Sequence, residues 1–89
     1  MLIIGEIFYM INLTFKSSDE FKIYLNNTNN KDFALDTTSM NIFDGLKFMV
    51  LSSAYFYQKY PKEKLRCKIK SDDIKTLISS FEIKNLEFV

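Results

Sequence analysis

Between Lys64 and Lys70 apolar and basic side chains alternate without a break, with Leu65, Cys67 and Ile69 on one side of an extended chain and Lys64, Arg66, Lys68 and Lys70 on the other. This period of two predicts a half-buried strand with a basic outer face. A similar period runs through the start of the chain, where Ile3, Ile7, Tyr9, Ile11, Leu13 and Phe15 share odd positions and Gly5 interrupts them. A strand from Leu2 to Phe15 would span roughly 46 Å, beyond the usual length, so Gly5 is read as a bulge or bend, or residues 1–9 as an extension of the strand. Phe33-Ala34-Leu35-Asp36-Thr37, apolar on both faces, predicts a short central strand, and Asn85 to Val89 predicts a closing one.

The intervening segments repeat at helical spacing. Ser17-Ser18-Asp19-Glu20 reads as a capping box ahead of a short helix that buries Phe21, Tyr24 and Leu25, and the Asn-rich run from Asn26 to Asn30 ends it. A long helix is predicted from about Asn41 to Tyr60, where Pro61 disfavours continuation. Its expected core face is Ile42, Leu46, Met49, Val50, Phe56 and Tyr57. A second apolar stripe, Phe48, Leu51 and Tyr55, shares the opposite side with Asp44, Lys47 and Gln58, so this helix should be covered on two sides. Ser71 is expected to cap a third helix, with Asp72 and Asp73 in its first turn and Ile74, Leu77, Ile78 and Phe81 on one face. The resulting order, β-α-β-α-β-α-β, predicts a small single α/β domain over residues 1–89, with about four mostly parallel or mixed strands and helices packed on them.

Composition narrows the class. The chain has 89 residues, 47% of them hydrophobic and 16% aromatic, enough apolar surface for one core and too little length for two. One cysteine cannot form an internal disulfide, so a reducing cytoplasmic location is expected. Glu6 breaks the apolar start, and no cationic run precedes it, so neither a signal peptide nor a membrane span is expected there. Net charge is +1 but unevenly held: residues 1–45 carry −3 and residues 46–89 carry +4.

The chemistry available is limited. Histidine is absent, which removes the commonest general base, the usual Ser and Cys triads and the commonest metal ligand. No catalytic residue, cofactor or metal site is expected. The acids are scattered, and although a strand-to-helix junction could bring Asp36 and Asp44 together, two carboxylates do not lead to a metal site being expected. Gly5 and Gly45 are isolated, so no glycine-rich phosphate loop exists. Cys67 is expected to be a core thiol.

Two surfaces remain. Lys64, Arg66, Lys68 and Lys70 form a candidate nucleic-acid-binding row, although no aromatic alternates with them to stack on bases, and a solvated or edge-protecting row is the plainer reading. The stripe Phe48, Leu51, Tyr55 is either covered by another helix of the chain or is a contact for a protein partner or a second copy.

From Phe33 to Val89 the pattern resembles the STAS domain, the fold of bacterial anti-sigma factor antagonists. Phe33-Ala34-Leu35-Asp36 looks like that family's Asp-bearing strand, and Ile42-Phe43-Asp44-Gly45-Leu46 looks like the opening of its long helix. The loop from Asp36 to Gly45 is about two residues short, and Asp44 stands where the family has a phosphorylatable Ser or Thr. The resemblance implies a non-enzymatic bacterial regulatory module that presents Met40, Asn41, Asp44 and Lys47 to a protein partner, with no phosphorylation control. An acid in a helix's first turn also stabilises the helix without any partner. The reading is therefore a protein-binding module, with a nucleic-acid-binding domain as its alternative and a small enzyme or toxin relying on Tyr, Lys and Asp as a third.

Overall fold

A computed structural model describes residues 11–89, and the expected strand positions 2–10, including Gly5, lie outside the described residues. Strand β1 (Ile11–Leu13) leads to helix α1 (Ser18–Asn26), then β2 (Phe33–Asp36), α2 (Ile42–Lys59), β3 (Leu65–Lys68), α3 (Asp72–Ser79) and β4 (Leu86–Phe88). The strands form one parallel sheet in the order β1-β2-β3-β4. This is the α/β alternation that the hydrophobic pattern predicts.

Each strand thus pairs with its sequence neighbour, and each connection is a β-α-β crossover. Such crossovers are right-handed almost without exception, so a sheet ordered this way carries its helices on a single face. The core agrees: Phe21 and Leu25 of α1, Phe48, Met49 and Phe56 of α2, and Ile74 and Ile78 of α3 form one cluster with Phe33, Leu35, Leu65, Cys67 and Leu86 of the strands. The register sets Asn12, Ala34, Arg66 and Glu87 in a row on the other face, with Asp36 beside Lys68 in the next row.

Local signals explain the element ends. The Ser17 hydroxyl accepts from the Glu20 amide at 3.3 Å, and the Glu20 carboxylate accepts from the Lys16 amide at 2.8 Å, one residue earlier than in the standard capping box. At the other end of α1 the Lys59 ammonium, reaching across from α2, donates to the carbonyls of Leu25 and Thr28. The Leu25 carbonyl belongs to the last turn of α1, whose acceptors have no partner within the helix, and the Thr28 carbonyl to the loop beyond it. Helix α2 stops at Lys59, with Tyr60 as its C-cap and Pro61 beyond. Ser71 occupies the N-cap position of α3 but makes no side-chain capping bond, so the expected cap is there in backbone conformation only.

Several expected positions differ. Strand β1 ends at Leu13, and Phe15 packs its ring on Phe21 and Tyr24 from the loop that follows. The basic strand is Leu65–Lys68, with Lys64 and Lys70 just beyond its ends. Tyr24 is only partly buried. On α2 the expected core face is rotated: Ile42, Val50 and Tyr57 are exposed, and the residues turned inward are Gly45, Phe48, Met49, Ser52, Ser53 and Phe56. A helix apolar nearly all round shows by its period which residues share a face, but not which face meets the sheet. Small residues mark the side that approaches the core here, where Ser52 and Ser53 are buried between Met49 and Phe56.

That approach leaves one polar atom stranded. Ser53 donates its hydroxyl to the Val50 carbonyl at 2.7 Å, whereas the Ser52 hydroxyl is fully buried with no partner among the described residues. A buried unpaired hydroxyl costs about 1–3 kcal/mol. Ser52→Ala removes it with little change of volume, and is expected to raise the unfolding free energy in urea by about 1 kcal/mol. A variant less stable than the parent would show that the hydroxyl is paired in solution.

Candidate functional site

Sequential parallel strands bring the N-terminal ends of successive helices together above the C-terminal ends of the strands. Here the start of α1 and the flank of α2 as far as Tyr55 border a groove of about 440 Å³. Lys16, Ser17, Ser18 and Asp19 line it from the α1 side, and Met40, Asp44, Lys47, Phe48, Leu51 and Tyr55 from the α2 side.

Six of the seven residues that the sequence singles out for a protein partner therefore meet around one groove. The seventh, Asn41, is the N-cap of α2. Its side-chain oxygen accepts from the Asp44 amide at 2.8 Å, and its Nδ2 donates to the Asp44 carboxylate at 3.0 Å. Asp44 thus serves the helix start while one side of it lines the groove. Phe48 is almost wholly buried and stacks toward Phe21 at 6.4 Å between ring centres, so it forms the floor. Leu51 is exposed, and Tyr55 lies partly covered with the Lys22 ammonium 5.1 Å from its ring centre. The stripe Phe48, Leu51, Tyr55 is accordingly covered in part by α1, and what remains open is the wall of the groove. Sequence reasoning missed the α1 side, Lys16 to Asp19, whose capping pattern was legible while its spatial neighbour was not.

The basic row lies on the far side of the sheet from the helices. Lys64, Lys68 and Lys70 are exposed and Arg66 is half-buried. Acids break the row: Glu87 is the cross-strand neighbour of Arg66, and Asp36 of Lys68. Asp36 accepts at Oδ1 from the hydroxyl of Thr38 at 2.6 Å and from its amide at 2.9 Å. Those bonds, with a smaller contribution from the Lys68 charge, hold its carboxyl below the ordinary value of 3.8. The neighbouring Thr37 hydroxyl donates to the Lys68 carbonyl at 2.9 Å, fastening the end of β2 to β3.

Chemistry of other kinds finds little footing. Cys67 is fully buried, and burial pushes its thiol up to about 12, which keeps it protonated and unreactive at neutral pH. Among the described residues no group of three or more His, Cys, Asp or Glu is placed to hold a metal ion. Among the same residues no helix is long and apolar enough to cross a membrane. Comparison with protein-family models, with curated proteins and with solved structures finds no match for this chain.

The Asp36 bonds carry a pH signature. A carboxyl whose folded value is depressed contributes stability above its unfolded value, and that contribution is lost as pH falls through the folded one. Asp36→Asn is expected to lower stability at pH 7 by at most about 1 kcal/mol, given solvent screening. The gap to the parent should close as pH drops below 3.8, followed by urea unfolding at stepped pH. A gap unchanged down to the acid transition would assign the loss to geometry rather than charge.

Proposed function

We propose that this chain is a non-catalytic binding module that receives a short segment of a protein partner in the groove between α1 and α2. The observation that supports it most is the character of that groove. Met40, Phe48, Leu51 and Tyr55 give it an apolar floor and wall, and charges of both signs border it, Lys16 and Asp19 at the start of α1 and Asp44 and Lys47 on α2. An apolar anchor residue fits the floor, and flanking side chains of either sign find a counterpart at the margin. The groove offers no histidine to activate Ser17 or Ser18, and the buried Cys67 is not among its lining residues.

The resemblance to STAS domains points to the same place, because the helix opening at Ile42 to Leu46 and the turn at Met40 lie at the groove's α2 end. The nucleic-acid reading has less support. Asp36 and Glu87 interrupt the cations on the sheet's outer face, and the strand positions of that face carry Asn12, Ala34, Asp36, Arg66, Lys68 and Glu87 without an aromatic to stack on a base.

Selection of a random twelve-residue peptide library displayed on phage against the immobilised protein tests the proposal. Selected peptides are expected to share an apolar anchor, to shift the backbone amide signals of Met40, Lys47, Leu51 and Tyr55, and to bind Leu51→Asp at least tenfold more weakly. Peptides that shift residues elsewhere, or that bind Leu51→Asp as well as the parent, would contradict it.

A further inference from the structure

The outermost ridge of α2 is apolar, and its spacing has two-fold symmetry. Phe43, Val50 and Tyr57 recur at seven-residue intervals and are 82%, 39% and 55% exposed. Two turns of helix nearly complete a heptad, so these three side chains form one column about 21 Å long. Val50 stands at its midpoint, with an aromatic residue equally far away on each side. Ala54, exposed on the same ridge, adds no bulk to it. The neighbouring helices leave this column uncovered among the described residues, because α1 packs on the Phe48 side of α2 and the inward side meets the sheet.

We propose that a second copy of this chain covers the ridge, with the two α2 helices packed antiparallel about a two-fold axis through Val50. In that arrangement Val50 meets Val50 of the second copy, and Phe43 meets its Tyr57 at both ends, an aromatic pair on each side of the axis. Direction follows from charge. A parallel pairing in the same register would set Lys47 against Lys47, whereas the antiparallel one sets it near the exposed Ala54. The column's seven-residue repeat suits the shallow crossing angle at which antiparallel helices mesh.

The area is sufficient for a weak dimer. Ile42, Phe43, Val50 and Tyr57 leave on the order of 500 Å² uncovered per copy, counting about 150–250 Å² for a whole aromatic side chain. Pairing two copies then removes about 1,000 Å², the lower bound of specific interfaces and the range of transient ones. This surface is separate from the floor of the groove, so self-association and peptide binding stand or fall independently.

Sedimentation equilibrium from about 10 μM to about 1 mM tests the proposal. The expected mass rises with concentration from 10.5 kDa toward twice that value. Phe43→Lys and Tyr57→Glu each weaken association at least tenfold. The double variant, which places opposite charges together at both ends of an antiparallel pair, recovers most of it. Val50→Cys, oxidised with diamide, links to itself far faster than Lys75→Cys on α3, and the buried Cys67 gives no background. A single 10.5 kDa species throughout, a double variant no better than the singles, or equal linking at Val50 and Lys75 overturns the proposal. All substituted side chains are exposed, and far-ultraviolet circular dichroism confirms that each variant is folded before it is counted.

Discussion

Everything in this fold depends on burying the helices' apolar faces against one side of a sheet whose strands follow chain order. Parallel pairing of each strand with the next leaves each helix only one face to cross. The three helices therefore compete for the same surface, and the middle one, α2, is held between its neighbours and the sheet. Phe33 is the hub of this packing. Its ring stands edge-on to Phe21, Tyr24 and Phe56 at 5.6 to 6.3 Å, which joins α1, β2 and α2 in one aromatic group. Each such pair contributes about 0.5–1.5 kcal/mol beyond area burial, and Phe21 adds a further ring contact from α1 to Phe48 of α2.

Surfaces follow from the same constraint. The helix N-termini converge above the strand ends, and the groove between α1 and α2 is the space their capping turns do not fill. Lys59 joins the opposite ends of those two helices through the carbonyls of Leu25 and Thr28. On the far side of the sheet none of α1, α2 and α3 covers the strands, and among the described residues those there are short or charged: Asn12, Ala34, Asp36, Arg66, Lys68 and Glu87, of which Ala34 is fully buried. The ridge of α2 is the third consequence, since a helix flanked on both sides and seated on a sheet still has an outer edge.

The strands and helices were legible because each pattern was carried by several side chains. Leu65 and Cys67 alternate with Arg66 and Lys68, and all four lie as the period requires. The Asn41 and Pro61 signals bracket α2 to within a residue. What failed was orientation. Val50 and Tyr57 look like core residues beside Met49 and Phe56, and only contact with the sheet distinguishes them; Ser52 and Ser53, which mark the true inner face, look polar in a sequence. The groove was half legible. Met40, Asp44, Lys47, Leu51 and Tyr55 could be placed on one helix and its approach, but the packing of Lys16 to Asp19 against them is a long-range fact that no local pattern encodes.

The methyl groups of two adjacent residues test the one-sided architecture directly. Leu35 points into the helices and Ala34 points away, so methyl nuclear Overhauser spectra of a methyl-labelled sample should link Leu35 to α2 and to Leu65 and Ile78 of the common core. The Ala34 methyl should show neighbours from β1 and β3 alone among the described residues, and none from α1, α2 or α3. Contacts from Ala34 to any of those helices would contradict the account, because they would place a helix on the face that sequential parallel pairing leaves without one.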